Sequence, residues 1–347
     1  MQIGMEALIQ IRNLWKIFES RQPSNRRQAS KTELEALGRL PGNRVAVREV
    51  SLSVDAGEIF VVMGLSGSGK STLLRMINGL ISPSAGTVEI EGRGLDALSG
   101  QDLLAMRRST MAMVFQSFAL FPQRTALENA AFGLEVAGVP RRQRLQRAEQ
   151  ALTRVGLGQD LQRRPNELSG GMRQRVGLAR ALALDPPILL MDEAFSALDP
   201  LIRRDMQDLL IDLQREQRRT IVFISHDLDE AVRLGDRIAL MQDGRLLQCG
   251  AAEELLCSPA SSAVSRFFDA VDPTAVISVG AIAEPGSKPI QLHPDDSTSP
   301  RLSASTLIKD AIAVVASAQT AIPVLDDNKK VIGTVDPTAI LRSLQRR

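Results

Sequence analysis

The sequence predicts an α/β fold in which helices cover a mainly parallel sheet. Residues 59–63, 188–191 and 221–224 are short apolar runs, and each ends abruptly in glycine or polar residues. Runs that are apolar on both faces suit parallel strands buried between helices. Because ligands bind beyond the carboxyl ends of such strands, we expect the polar residues that follow the three runs to converge on one site.

The composition is that of a globular protein with enough apolar material for a sizeable core. Of the 347 residues, 44% are hydrophobic and 24% are charged, and the length predicts two domains. The 42 basic and 40 acidic residues give a net charge of only +2, and 3% aromatics without tyrosine do not suit a base-stacking surface. We therefore expect no nucleic-acid partner.

No segment indicates a leader or a membrane span. Residues 1–10 lack the basic start and long apolar run of a signal peptide, and no apolar stretch approaches the roughly 18 residues that a span needs. Cys249 and Cys257 match no metal-ligand spacing, so reduced thiols in a cytosol are expected. Any role at a membrane is then performed through a partner.

The remaining segments follow from changes in pattern along the chain. Residues 8–18 and 45–54 predict strands, and the polar stretch 19–43 between them predicts an insertion with a short helix at 32–37. Residues 95–185 predict mainly helices, since apolar positions such as 172, 176, 179 and 183 fall on one helical face.

The pattern changes again after residue 271, where a domain boundary is predicted. Residues 285–300 are rich in Pro, Ser and Asp, and a small βα-like unit follows at 307–344. The predicted domains are residues 1–270 and 271–347.

A phosphate-binding loop follows the first apolar run. Residues 64–71 match the pattern G-x-x-x-x-G-K-S/T between a strand and a helix. Glycines let backbone N–H groups turn toward phosphate oxygens, and a helix N-terminus favours their negative charge. A plain Gly/Ser-rich turn is the alternative, which the position between strand and helix disfavours. The predicted nucleotide-binding residues are Gly64, Leu65, Ser66, Gly67, Ser68, Gly69, Lys70, Ser71 and Thr72.

An acidic pair follows the second apolar run. Asp192 can hold a Mg²⁺ ion together with the Ser71 hydroxyl, and Glu193 is placed to polarise an attacking water. Alone, such a pair is commonly a solvated loop. Downstream of a phosphate loop in the same sheet it predicts a P-loop nucleoside triphosphatase that uses Mg²⁺.

A second glycine motif precedes the acidic pair. Residues 168–175 read L-S-G-G-M-R-Q-R and resemble the signature of the ABC ATPase family. Ser169 can cap the following helix, and two glycines permit close approach to a phosphate. The resemblance implies that Ser169, Gly170, Gly171 and Gln174 contact ATP held by a second copy, so that a homodimer sandwiches two ATP molecules.

The other motifs of that family are present in order. Gln116 resembles the glutamine that senses Mg²⁺ and the attacking water, and Asp199 resembles the residue that links the two sites of the dimer. His226 resembles the switch histidine at the γ-phosphate. Phe18 stands where the family places a ring against adenine, but a core phenylalanine at the end of the first strand remains the alternative.

The resemblance covers residues 8–257 and implies the ABC ATPase fold: a RecA-like core sheet, an antiparallel β part and a helical subdomain at about 95–180. It also implies the mechanism. ATP and Mg²⁺ close the dimer, Glu193 orients water with help from His226 and Gln116, and Lys70 stabilises the charge that spreads over the γ-phosphate.

Residues 113–120, 190–203 and 224–231, and the insertion, are similar to the ATPase subunits of glycine betaine/proline and choline importers. This implies import of a quaternary ammonium osmolyte through a membrane permease, which would dock near residues 118–121. It further implies a substrate-binding protein and a location on the inner face of the cell membrane. The sequence does not determine which of betaine, choline, carnitine and proline is the solute.

The C-terminal residues 321–336 resemble the strand–turn–strand of a CBS module, followed by a helix at 338–344. There is room for about one module, which would form a small α+β region. A regulatory element that senses ionic strength or a nucleotide and a tail that only packs both remain open.

Three rival functions are weighed against this interpretation. An ABC ATPase acting on DNA or ribosomes is disfavoured, because the chain has no heptad run and a single set of motifs. A P-loop kinase leaves the signature and His226 unexplained. An ABC importer for another small solute remains the nearest alternative.

Overall fold

The computed structural model describes residues 7–20, 29–117, 119–284, 300–318 and 320–345. The chain divides into two compact units, Met1–Ala251 and Ala252–Arg347. This division lies before the boundary predicted near residue 271, because two helices that follow residue 251 belong with the second unit and Leu256 packs against that unit's core.

The first unit contains a six-stranded sheet and a four-stranded antiparallel sheet. In the six-stranded core sheet the order is β10-β9-β3-β8-β7-β6, and all neighbours are parallel except β9 and β10. The antiparallel sheet has the order β2-β1-β4-β5. The strands are β1 Ile9–Phe18, β2 Arg44–Val54, β3 Ile59–Met63, β4 Ala85–Ile90, β5 Arg93–Gly94, β6 Met111–Phe115, β7 Ile188–Asp192, β8 Thr220–Ser225, β9 Arg237–Gln242 and β10 Arg245–Gly250.

The three predicted apolar strands are confirmed as β3, β7 and β8, which are neighbours in the core sheet and buried at every residue. The predicted strands 8–18 and 45–54 are also confirmed, as β1 and β2. Three strands of the core sheet, β6, β9 and β10, were not predicted. Of these, β6 interrupts the region predicted as mainly helical, because a five-residue apolar run carries no period that separates strand from helix.

Helices of the first unit cover the sheets and fill the region between β6 and β7. The predicted helical face in residues 172–183 is confirmed, since Val176, Ala179 and Ala183 are buried in α6. The helices are α1 Lys31–Gly38, α2 Lys70–Ile77, α3 Gly100–Thr110, α4 Ala126–Val136, α5 Arg141–Arg154, α6 Gly170–Ala183, α7 Pro200–Gln217 and α8 Leu228–Leu234, with a short 3-10 helix at Pro165–Glu167.

The insertion between β1 and β2 folds into the predicted short helix, α1. Ser30 and Glu33 form a reciprocal capping box at its start. Leu34 and Leu37 turn inward and pack against Trp15 of β1, in a small core separate from the main one. Residues 21–28 of the insertion lie outside the described residues.

One large apolar core connects the two sheets with α2. Its members come from α2, α3 and eight strands, β1 to β4 and β6 to β9. Burying each side chain of this size contributes about 1.5–3 kcal/mol, so the strands that carry the site residues are held firmly. Representative members are Ile9, Val47, Phe60, Leu73 and Ile224.

The second unit is a small α+β unit with its own core. Its sheet has the order β11-β12-β13, with β11 parallel and β13 antiparallel to β12. The predicted strand–turn–strand and following helix are confirmed as β12, β13 and α13, whereas the predicted Pro-rich residues 285–299 lie outside the described residues. The elements are α9 Ala252–Cys257, α10 Ser262–Phe267, a 3-10 helix at Pro273–Ala275, α11 Val279–Ile282, β11 Leu302–Ser303, α12 Ile308–Ser317, β12 Ile322–Leu325, β13 Val331–Val335 and α13 Pro337–Gln345.

Among the described residues, no helix has both the length and the apolar character needed to cross a membrane.

Candidate functional site

The phosphate loop joins β3 to α2 and takes a backbone shape that depends on glycine. Gly67 has φ +82°, and a Cβ placed there would meet no atom within 4 Å, so this face of the loop is open to a ligand. Gly69 has φ +100°, and a Cβ there would lie 2.2 Å from the Ala46 carbonyl oxygen. Any larger residue at position 69 would therefore push the loop away from β2.

Lys70 lies at the first turn of α2 and folds back over the loop. Its Nζ donates to the carbonyl oxygens of Gly64 and Leu65, at 2.7 and 3.1 Å. The side chain is only 4% exposed, and burial lowers the pKa of Lys70, while the carboxylates of Glu193 and Asp192 act in the opposite direction. The Lys70 ammonium loses hydration on burial, and the negative charge of a phosphate bound in the loop would compensate for that loss.

Ser71 and Asp192 bring two hard oxygen groups together at the end of β7. The Ser71 hydroxyl donates to Asp192 Oδ1 at 2.8 Å, between residues that lie 121 positions apart in the chain. Hydroxyl and carboxylate oxygens are the ligands that Mg²⁺ prefers, with water and phosphate oxygens completing its octahedron. The residues present therefore fit a Mg²⁺ ion.

Glu193 and His226 follow β7 and β8, which are parallel neighbours. The Glu193 amide donates to the Ile224 carbonyl at 3.2 Å, and Glu193 takes φ +45°, in the left-handed region. His226 Nδ1 lies 3.2 Å from Glu193 Oε2, and Lys70 Nζ lies 3.8 Å from Glu193 Oε1. The Glu193 carboxylate is therefore held between a buried cation and a histidine that is half exposed.

Gln116 reaches the same place from the end of β6. Its Nε2 donates to the Ser196 hydroxyl at 3.1 Å, and that hydroxyl donates to the Glu193 carbonyl at 2.9 Å. The polar residues that follow the parallel strands β3, β6, β7 and β8 thus lie around one site. The expected convergence is confirmed by the contacts among Lys70, Ser71, Gln116, Asp192, Glu193 and His226.

The other loop residues differ in exposure. Leu65, Ser66 and Gly67 are exposed, whereas Ser68 is buried and its Oγ finds no hydrogen-bond partner among the described residues. Thr72 is half-buried in the first turn of α2. An open outer face above a buried base suits a ligand that binds through backbone N–H groups.

The signature segment starts α6, and Ser169 caps that helix by accepting from the Met172 amide at 3.3 Å. Ser169 is exposed, as is Asp199 at the start of α7. The Gln174 side chain is fully buried, and neither polar atom has a partner among the described residues. Its contact with nucleotide stays a prediction.

Phe18 ends β1 with 43% of its surface exposed, so it is not a core residue. Lys16 Nζ lies 5.2 Å from the ring centroid. The alternative of a core phenylalanine is therefore wrong, and contact with adenine stays a prediction.

Four polar residues beside His226 were not predicted. With Glu193, Ser196 and His226 they line a cavity of about 10 Å³, and burial raises the pKa of Glu230. The signal that could have revealed them is an Asp-x-x-Glu spacing directly after a buried strand, which is a helix-capping pattern. The residues are Arg203, Ser225, Asp227 and Glu230.

A glycine loop that ends in a buried lysine, an oxygen pair that fits Mg²⁺, and a glutamate beyond a parallel strand define the class of P-loop nucleoside triphosphatases. Residues 47–196 match the family model described as ABC transporter. The chain is 42% identical over 394 aligned residues to the glycine betaine/proline betaine transport system ATP-binding protein ProV of Escherichia coli (strain K12), across 99% of this chain and 98% of that protein. The chain therefore belongs to the ABC transporter family, and it is an ATPase.

Two further comparisons agree with this assignment. The trimethylamine N-oxide transport system ATP-binding protein TmoW of Ruegeria pomeroyi is 42% identical, across 95% of this chain and 94% of that protein. Among solved structures, the dimeric structure of MJ0796, a bacterial ABC transporter cassette, aligns with a TM-score of 0.60 at 33% identity. It covers 70% of this chain and 98% of that chain.

Proposed function

We propose that this chain is the ATP-hydrolysing subunit that powers import of a quaternary ammonium osmolyte, such as glycine betaine or choline, or of proline, through a partner membrane permease. The observation that carries the proposal is end-to-end similarity to a glycine betaine/proline betaine transport ATP-binding protein, 99% of this chain against 98% of that one. A substrate-binding protein would deliver the osmolyte to the permease, and no residue of this chain would touch it.

A second candidate substrate is trimethylamine N-oxide. It is favoured by the 42% identity to a trimethylamine N-oxide transport ATP-binding protein, which equals the identity to the betaine relative. Both are small solutes with a methylated, cationic nitrogen. The two candidates therefore imply the same ATPase and differ only in the partners that recognise the solute.

The geometry supports a division of roles in hydrolysis. Glu193 would hold the attacking water, because its carboxylate faces the loop and is fixed by Lys70 and His226 on opposite oxygens. Lys70 would stabilise negative charge on the β- and γ-phosphates, and Gln116 would reach the water and metal from β6. Mg²⁺, held by Ser71 and Asp192, would neutralise phosphate charge when bound.

The complete site would need two copies of the chain. The exposed Ser169, the half-buried Gly170 and the buried Gly171 would bind the γ-phosphate held by the other copy, and the exposed Asp199 would lie at the contact between copies. A helix that starts with a serine cap and two glycines offers free N–H groups to an anion. The dimeric structures of the MJ0796 cassette support this arrangement.

The membrane role would be peripheral, on the inner face of the cell membrane. The permease would dock near the end of β6, around residues 118–121. Phe118 lies outside the described residues, whereas Phe121 packs against Phe132 of α4, with ring centroids 4.5 Å apart and the ring planes tilted by 56°. The second unit would act as a CBS-like regulatory element.

The experiment that tests the catalytic assignment is Glu193→Gln in the full chain. Removing the charge while keeping the shape should leave ATP binding intact and lower kcat by about 100-fold or more. Glu149→Gln, on the exposed face of α5, is the matched control and should keep full activity. Near-normal steady-state hydrolysis in Glu193→Gln would contradict the assignment.

A further inference from the structure

The loop that carries His226 is fixed on both sides of the histidine. On one side, the Ser225 hydroxyl donates to Glu230 Oε2 at 2.6 Å, and Gln207 of α7 donates to the other oxygen of Glu230 at 3.2 Å. On the other side, Asp227 Oδ1 caps α8 by accepting from the Glu230 amide at 3.1 Å. The imidazole of His226 is itself 53% exposed, and its described contact is with Glu193.

Arg203 connects this loop to the segment that follows Glu193. One of its terminal nitrogens donates to Asp227 Oδ2 at 3.2 Å, and the other donates to the Leu198 carbonyl at 3.2 Å. Leu198 belongs to the turn 196–199, which begins with the Ser196 hydroxyl bound to the Glu193 carbonyl. A single guanidinium group therefore spans the two chain segments that position Glu193 and His226.

The planar fork of arginine suits this task in a way that lysine does not. Its two terminal nitrogens point to different acceptors at fixed geometry, whereas an ammonium is a point charge on a flexible stem. The Arg203 side chain is 28% exposed, so water competes only in part for its donors. The contact between Glu193 and His226, at 3.2 Å, then depends on how firmly Arg203 holds the two segments together.

We propose that Arg203 is a positioning residue for ATP hydrolysis, which sets His226 against Glu193 by holding the Leu198 carbonyl and the Asp227 carboxylate at once. The proposal rests on the proposed roles of Glu193 and His226. Arg203 touches neither of these side chains in the described contacts, so it would act through the two segments.

A purely structural role, in which Arg203 only holds α7 near α8, can be separated from this one within the same chain. Arg233 of α8 pairs with Asp208 of α7 at a more exposed position, and neither residue lines the cavity beside His226. Arg233→Met therefore removes an ion pair between the same two elements without touching the turn 196–199. It is the matched control.

The test is steady-state ATP hydrolysis by the full chain carrying Arg203→Met. The expected result is a kcat lowered about 10- to 100-fold, with the KM for ATP changed by less than about threefold, because phosphate contacts remain and only alignment is lost. Arg203→Lys should recover part of kcat, and Arg233→Met should stay within about twofold of the unaltered protein.

Asp227→Asn extends the test, because asparagine still caps α8. It should lower kcat to a similar extent. The double variant Arg203→Met with Asp227→Asn should lower kcat little more than either single change does. Equal losses in Arg203→Met and Arg233→Met would overturn the proposal, as would a loss confined to the KM for ATP. If Glu193→Gln abolishes hydrolysis while Arg203→Met leaves kcat unchanged, only this inference fails; if Glu193→Gln is active, the proposed catalytic roles fail.

Discussion

At the scale of single residues, the site places opposite charges in a partly buried space. Burial lowers the pKa of Lys70, and the carboxylates of Glu193 and Asp192 partly restore it. The sequence identified these residues by their motifs. Their convergence was predicted, but their individual contacts and distances were not, because the 3.8 Å approach of Lys70 to Glu193 joins segments that lie far apart in the chain.

Ser71→Ala should weaken the use of Mg²⁺. The change removes one of two oxygen groups that lie 2.8 Å apart and leaves Asp192, with Gln116 reaching from β6, to hold the ion. The Mg²⁺ concentration for half-maximal hydrolysis should rise about 10-fold or more. A magnesium titration of hydrolysis measures this, with Ser109→Ala of α3 as control. An unchanged half-maximal concentration in Ser71→Ala would contradict the metal site.

Glu230→Gln should change how stability depends on pH. Burial raises the pKa of Glu230, while hydrogen bonds from Ser225 and Gln207 oppose this shift. With a folded-state pKa above the unfolded-state value of about 4.3, the folded protein binds the extra proton, so this group costs stability as pH rises through its folded pKa.

The stability advantage of Glu230→Gln over the unaltered protein should therefore grow as pH rises from the unfolded-state pKa of about 4.3 through the folded pKa, by at most about 1.4 kcal/mol per pH unit. Thermal unfolding of both proteins across this range measures the difference between their free energies of unfolding. The contributions of the other titrating groups are the same in both proteins and cancel in that difference. A difference that is constant with pH, or that shrinks as pH rises, would contradict the raised pKa.

At the scale of elements, the sequence predicts best the strands that are apolar on both faces. Strands β3, β7 and β8 were predicted because elements packed above and below the core sheet bury both faces of each strand, so each strand is a continuous apolar run. Strands β9 and β10 form an antiparallel pair at one edge, and β10 is mostly half-buried, so its pattern is weak. The core sheet was therefore predicted at its centre and missed at its edges.

The same reasoning explains which parts of the site were missed. Gln116, Glu193 and His226 stand in motifs, whereas Arg203 lies within an ordinary amphipathic helix and gains its partners only when β8 and α7 come together. A sequence motif contains the residues that contact the ligand, at a fixed spacing. Residues that act through other residues have no fixed spacing, so the folded structure is needed to find them.

Ser30→Ala should loosen the insertion helix α1 without altering hydrolysis. The change removes one half of the capping box, the Ser30 hydroxyl that accepts from the Glu33 amide at 3.3 Å, and keeps the backbone amide of residue 30 that donates to Glu33 Oε2 at 2.8 Å. The expected cost is about 1 kcal/mol of local stability. Hydrogen exchange of the amides in 31–38 should quicken about fivefold.

Thr32→Ala is the control, because Thr32 is exposed in the same first turn and is not the cap residue. Equal exchange rates in Ser30→Ala and Thr32→Ala would show that the cap does not stabilise α1.

At the scale of the whole molecule, each of the two units has its own core. All the site residues lie in the first unit, and the second unit has a separate cluster built on β12, β13 and α12. The sequence predicted a two-part chain from the change in composition. It placed the boundary later because the Pro-, Ser- and Asp-rich residues that mark the change in composition come only after residue 271, beyond α9 and α10.

Removing residues 252–347 should leave ATP binding in place, because the first unit keeps its sheets and its core. If the second unit is regulatory, transport by the shortened chain should lose its response to ionic strength or to nucleotides. The measurement is uptake across a range of osmolarity, comparing the full and shortened chains. An unchanged response would leave the second unit with a packing role only.

The central claim, ATP-driven import of a quaternary ammonium osmolyte, is tested most directly by uptake. Radiolabelled glycine betaine, choline, carnitine and proline are offered to cells with the chain, without it, and with Lys70→Ala. We predict that uptake of at least one solute is lost in both the deletion and Lys70→Ala, because the buried ammonium at the phosphate loop is needed for hydrolysis. Unchanged uptake of all four solutes in both strains would contradict the claim.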